Sequence, residues 1–280
     1  MPPTMKNLFF LFALLLPCSA GWSQSTGQQQ NLSAMKKRHP IHFVFVPGSF
    51  HAAWCWYKMQ PLLSKDGNTC EAIDLPGHGR DCTPPAEVTL DSYVDAVCEV
   101  LEKYTEPVVL IGHSRAGIVI SQTAERMPEK VSHLVYLCAF LIPNGEPMVA
   151  TALTDSTSAL VANLIFNEAE AWHFPKESII KEAFYNDCTE EDLALCSSLL
   201  THEPNAPVGT PLQLSDDKYG SVEKTYIFTT LDRAISPALQ RQMVERLPVD
   251  QTFTLQAGHS PFLSRPQELA EILLQIGRGN

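Results

Sequence analysis

Three side chains in this sequence have the types and the chain order to move an acyl group: Ser114 in LIGHSRAGIVIS, Asp232 in TYIFTTLD and His259 in TFTLQAGHS. A serine hydroxyl is a weak nucleophile until a base takes its proton, and an imidazole base needs an acid to fix its tautomer. The pattern around Ser114 misses G-x-S-x-G by one position, because Ala116 stands where the second glycine would be and Gly117 follows it. Taken alone, Ser114 reads equally as a nucleophile on a strand-to-helix turn or as an ordinary serine at a helix start. Asp232 alone reads as a turn residue, and His259 as a loop histidine. At successive strand ends, in the order serine, acid, histidine, the three become a candidate catalytic triad. The developing oxyanion would need donors. The backbone N–H of Arg115, after the nucleophile, and that of Ser49, in the PGSF loop, are the expected pair.

The elements that must position these residues follow from periodicity. HFVFV (42–46), TCEAID (69–74), PVVLIG (107–112), VSHLVYLCAFL (131–141), KTYIFTTLD (224–232) and QTFTLQ (251–256) read as strands. Between them, TLDSYVDAVCEVLEKY places Leu90, Val94, Val97 and Leu101 on one helical face. RAGIVISQTAERM, PALQRQMVERL and the stretch from Pro266 read as further helices. Strands alternating with helices predict an α/β fold with a doubly wound, mostly parallel sheet and sites at the carboxyl ends of the strands. The rhythm breaks between residues 143 and 219, where TSALVANLIF and EDLALCSSLL read as helical pieces. That segment is expected to be a mainly helical cap, inserted after the sixth strand, over a core of residues 41–142 and 220–280. The Arg115 guanidinium is expected to meet a cap carboxylate or the substrate, or else to face solvent. Among the histidines, His113 should point away from Ser114, His51 should line the site and His78 sits in a glycine-rich turn; His42, His133, His173 and His202 read as structural. The apolar cap side chains Leu160, Leu164, Phe166, Trp172 and Phe174 read as cap core.

The 280 residues, 45% hydrophobic and 18% charged, suit a globular chain with a sizeable core. A formal net charge of −11 argues against nucleic acid as a partner. Lys6, the apolar run Leu8–Leu16 and the small residues that follow read as a secretory signal over residues 1–23, cut after Ala20 or Ser23. The apolar run is too short for stable membrane insertion. Residues 24–40 then form a polar lead-in, and the expected product is an exported, acidic protein, periplasmic or secreted, with a monomer as the default. Of eight cysteines, seven survive cleavage. The absence of C-x-x-C gives no support to zinc or thioredoxin-like chemistry. Cys98 and Cys138 read as core residues, while Cys188 with Cys196, or Cys70 with Cys82, could pair under oxidising conditions.

Several blocks together resemble the plant methylesterase and hydroxynitrile lyase branch of the α/β-hydrolases and its bacterial esterase relatives. They are VPGSFHAAWCWYKM, DLPGHGRD, GHSRAG, PEKVSHLVYLCAFLIPNGE, YGSVEKTYIFTTLDRAISPALQRQM and AGHSP. The resemblance runs from about His42 to Leu274 and is weakest in the cap. It implies a triad of Ser114, Asp232 and His259, an oxyanion hole at Ser49 and Arg115, no metal or organic cofactor, and a small-molecule ester as substrate. Three departures stand out: Pro47 replaces the usual histidine of a His-Gly pair, SRAG replaces the more usual Ser-Leu/Met-Gly-Gly, and Ser260 stands where the lyases carry a lysine for cyanide. The last favours an esterase. A lactonase, an amidase, a lyase and a low-turnover binding protein are the alternatives.

Overall fold

The computed structural model describes residues 39–279, so the expected signal and all but the end of the lead-in lie outside the described residues. A six-stranded sheet forms from β1 (His42–Val46), β2 (Thr69–Ala72), β3 (Val108–His113), β4 (Val131–Leu137), β8 (Lys224–Thr229) and β9 (Gln251–Leu255). Its order is β2-β1-β3-β4-β8-β9, with every pair parallel. Parallel strands covered on both faces read as continuous apolar runs, and β1 shows why. Val44 and Val46 enter one buried cluster, and Phe43 and Phe45 the other. Helices α1 (Leu90–Glu102) and α2 (Ala116–Arg126) contribute to the first cluster, through side chains such as Val94, Val97, Ile118 and Val119. The last helix, α5 (Pro266–Gly277), contributes Leu269, Leu273 and Ile276 to the second. Helix α1 begins at a capping box in which the Thr89 hydroxyl accepts from the Ser92 N–H.

The winding direction reverses between β1 and β3, which are neighbours although β2 lies between them in sequence. In open parallel sheets ligands bind beyond the strand ends at such a switch point. Here the register is specific: Val46 pairs with Gly112, so the loops after β1 and β3 leave the sheet side by side.

Two expectations about the inserted segment change. The insertion follows the fourth strand of the described chain rather than the sixth, because four strands precede it and two follow. The segment also has a sheet of its own, formed antiparallel by β5 (Leu164–Asn167), β6 (Trp172–Pro175) and β7 (Glu203–Pro204). LIF, expected as the end of the helical piece TSALVANLIF, lies in strand β5, since its backbone pairs with β6. EDLALCSSLL does form a helix, α3 (Glu190–Ser197), and α4 (Pro237–Arg246) lies after β8. Strand β4 stops at Leu137 instead of Leu141, where Cys138 takes a φ of 35° and turns the chain toward α2.

All seven described cysteines are free, including both pairs that could have bonded. Among the described residues no helix is long and apolar enough to cross a membrane.

Candidate active site

Ser114 leaves β3 with a φ of 55°, a left-handed conformation that a residue with a Cβ adopts only at a cost. The turn is held from both sides. Ser114 N–H donates to Leu137 O at 3.3 Å, and Ser114 O accepts from Gly117 N and Phe140 N at 3.1 and 3.0 Å. The close approach requires a glycine at 117, where an added Cβ would lie 2.0 Å from Phe140 O. The Ala116 methyl is accommodated and fully buried. The departure from G-x-S-x-G is therefore harmless to the turn.

Asp232 and His259 come together at the neighbouring strand ends. His259 Nδ1 donates to Asp232 Oδ2 at 2.8 Å, with both side chains almost wholly buried. The carboxylate is fixed by further donors: Ala234 N and Ile235 N on Oδ1, and the Thr229 hydroxyl and Gln240 amide on Oδ2. Since Asp232 accepts the Nδ1–H hydrogen bond, the tautomer is fixed and His259 keeps Nε2 as its unprotonated nitrogen. No hydrogen bond joins His259 to Ser114 Oγ in this structure; such contacts often tighten only when substrate is present.

The loop after β1 packs directly on Ser114, since a Cβ on Gly48 would come within 2.8 Å of Ser114 Cβ. Three of its carbonyls are engaged by other groups. Gly48 O accepts from His51 N and from Arg115 Nη2, at 3.3 Å each, and Ser49 O accepts from His51 Nδ1 at 2.8 Å. Phe50 O accepts from Thr201 N at 3.0 Å. Among the described residues, neither Ser49 N–H nor Arg115 N–H donates to another protein group, so the two expected oxyanion donors remain unspent.

His51 and His113 serve this scaffold. His113 Nε2 donates to His259 O at 2.7 Å, and the Cys138 thiol approaches the same carbonyl at 3.6 Å. Burial holds the His113 ring well below the usual imidazole range and the Cys138 thiol well above its own. These three residues are the one group of metal-ligand types found close together among the described residues. His113 and Cys138 both approach the His259 carbonyl, and so support the histidine's backbone. His51 donates through Nδ1 to a carbonyl, so its Nε2 must accept, and Tyr185 O–H supplies the donor at 2.8 Å. Four further histidines have structural partners: His42 with Thr69, His133 with Thr225, His173 with Asn205, and His202 stacked on Trp172.

Burial lowers the His51 pKa from 6.5 to about 4. A depressed histidine pKa means that the unfolded chain binds the proton first, so the stabilisation is complete above pH 6.5 and is lost as pH falls toward 4. The loss should reach about 3 kcal/mol. Denaturant titrations at pH 7 and pH 4.5 should show a marked drop that shrinks in His51→Gln; an equal drop in both proteins would refute the assignment.

Arg115 does not face solvent. Its guanidinium is buried over the Tyr93 ring and pairs with Glu203 of β7, with Nε 3.1 Å from Oε1 but without an aligned hydrogen bond. His78, expected only in a turn, is buried against the same carboxylate at 3.1 Å. Glu203 itself was not singled out by sequence; a lone acid in THEP carries no motif. Of the cap side chains read as core, Leu160, Leu164 and Phe174 pack inward, whereas Phe166 is 56% exposed because it points outward from β5.

The left-handed serine turn at the sheet's switch point and the acid–histidine pair at successive strand ends fit an α/β-hydrolase, and the chain belongs to the alpha/beta hydrolase family, matched over residues 43–272. It is similar to methylesterase 10 of Arabidopsis thaliana, 31% identical over 89% of this chain and 96% of that protein. Two longer chloroplastic relatives from the same plant, with provisional methylesterase names, are 35% and 33% identical over 85% and 89% of this chain; the chain spans 64% and 59% of their length. Among solved structures, polyneuridine aldehyde esterase superposes with a TM-score of 0.77 at 26% identity, over 85% of this chain and 99% of that one.

Proposed function

We propose that this hydrolase cleaves carboxylic esters of small to medium apolar molecules through an acyl-enzyme intermediate, with methyl esters as the first class to test. The observation that carries the reading is the buried Asp232–His259 pair at 2.8 Å, set at strand ends beside a serine with a φ of 55°. The names of the similar plant proteins and of the similar esterase structure support the ester class. In this reading Ser114 attacks the ester carbonyl while His259 Nε2 takes its proton, and Asp232 stabilises the imidazolium. The Ser49 and Arg115 N–H groups receive the oxyanion. His259 then protonates the leaving alcohol, and water releases the acid. Phe50, Phe184 and Phe262 give the surroundings an apolar character suited to the acyl or alcohol portion. Ser260 is buried and uncharged beside His259, so a departing cyanide would have no cation there, which places the lyase second.

We also propose that the chain is exported, on the strength of Lys6 and the apolar run Leu8–Leu16. One experiment addresses both readings: intact mass of the protein recovered after export, before and after a fluorophosphonate, with initial rates on methyl esters. The expected result is a chain beginning at Gly21 or Gln24, one adduct per chain and multiple turnovers. Retention of Met1 would sink the export reading. Absence of both adduct and turnover would sink the hydrolase mechanism, and an adduct without turnover would leave a binding protein.

A further inference from the structure

The cap residue Glu203 reaches both halves of the expected oxyanion hole. Its Oε2 accepts from the Phe50 N–H at 3.1 Å, next to Ser49, and its Oε1 lies 3.1 Å from Arg115 Nε. The Tyr93 hydroxyl at 3.3 Å and His78 Nε2 at 3.1 Å complete its surroundings, and its side chain is fully buried. Phe50 needs such an anchor. Its φ of 68° is unfavourable for a side chain of that size, and left-handed backbone persists only where the surroundings over-determine it. Two residues of one cap segment do this: Thr201 N holds the Phe50 carbonyl and Glu203 holds its N–H. Burial alone would push the Glu203 carboxyl upward, but Arg115 and His78 outweigh it and hold the group ionised, well below the usual range. With Phe50 clamped, and the Gly48 and Ser49 carbonyls engaged elsewhere, the Ser49 N–H stays without a protein acceptor in a loop that packs on Ser114.

We infer that Glu203 is a positioning residue for acyl transfer: it clamps the Phe50 backbone and the Arg115 side chain, and through them fixes the two oxyanion donors relative to Ser114. The inference rests on the acyl-transfer reading above. It also assigns the unusual arginine of GHSRAG a purpose, as the buried counter-charge that lets a carboxylate reach the loop.

The test compares Arg115→Leu/Glu203→Gln with Arg115→Leu/Glu203→Leu. Both remove the buried charges together, which avoids stranding one of them. Only the first retains an acceptor for Phe50 N–H. Active sites are counted by fluorophosphonate titration, and kcat, KM and inhibition by a trifluoromethyl ketone, an oxyanion mimic, are measured per active site. Going from Gln to Leu at position 203, kcat should fall roughly 10- to 100-fold with KM changed less than about twofold, below the loss for deleting a donor outright. The ketone should weaken by the same factor. Equal kcat and equal ketone affinity per active site would overturn the inference, even if melting temperatures differ. Should the double variants not fold, Glu203→Asp keeps the charge but withdraws it from the loop. A tenfold or so fall in kcat per active site supports the inference there, and wild-type kcat overturns it. An inactive, unlabelled wild type would instead remove the acyl-transfer reading itself.

Discussion

Ser114→Ala should lower kcat by about 10⁴- to 10⁶-fold while leaving the melting temperature almost unchanged. The size follows from the mechanism: without Oγ no acyl-enzyme forms, and what survives is the catalysis that binding and the oxyanion donors provide to water. The unchanged stability follows from the structure. Alanine has the same Cβ as serine, so the cost of a φ of 55° is carried equally by both. The bonds that hold the turn run through the backbone of residue 114 to Leu137, Gly117 and Phe140, and none of them uses the hydroxyl. Initial rates on a methyl ester, with thermal unfolding of the same samples, provide the check. Retention of more than about a hundredth of wild-type turnover would exclude Ser114 as the nucleophile, because a triad serine cannot be replaced so cheaply.

Gly117→Ala should be the more damaging change to the fold, although it adds one methyl group. The new Cβ would sit 2.0 Å from Phe140 O and within 3.0 Å of Phe140 C and N, all of them backbone atoms that no rotamer change can move. Relief requires α2 to retreat from the segment after β4, which breaks the Phe140 N–H to Ser114 O bond. A loss of roughly 3 kcal/mol or more is expected. Activity per folded molecule should fall as well, since the nucleophile's own carbonyl is released. Ala116→Gly, which restores the G-x-S-x-G pattern, should by contrast change stability by no more than about 1 kcal/mol, the ordinary cost of glycine near a helix start. Urea unfolding of the two variants decides the matter: if they lose similar stability, Gly117 is not where the turn is constrained.

The sequence by itself determined the strands and helices of the core, because β1, β3 and α1 are encoded by runs such as HFVFV, PVVLIG and TLDSYVDAVCEVLE whose periodicity is local. It also marked Asp232 and His259 as residues to bring together and Ser114 as the turn that ends β3, because each stands at the end of such a run and the sheet sets β3, β4, β8 and β9 side by side. Short runs without long-range context were less legible. LIFN is apolar enough for either helix or strand, and only its pairing with WHFP made it β5. Which glycine the nucleophile turn requires was likewise settled by an approach from elsewhere, the Phe140 carbonyl. The buried cluster of Glu203, Arg115, His78 and Phe50 belongs wholly to the tertiary structure. Phe50 and Glu203 are 153 positions apart, and no spacing rule links them. A buried charge is tolerable only where the fold delivers an opposite charge and enough hydrogen bonds to the same point. That delivery depends on how the inserted segment lies over β1 and β3, which no local pattern encodes.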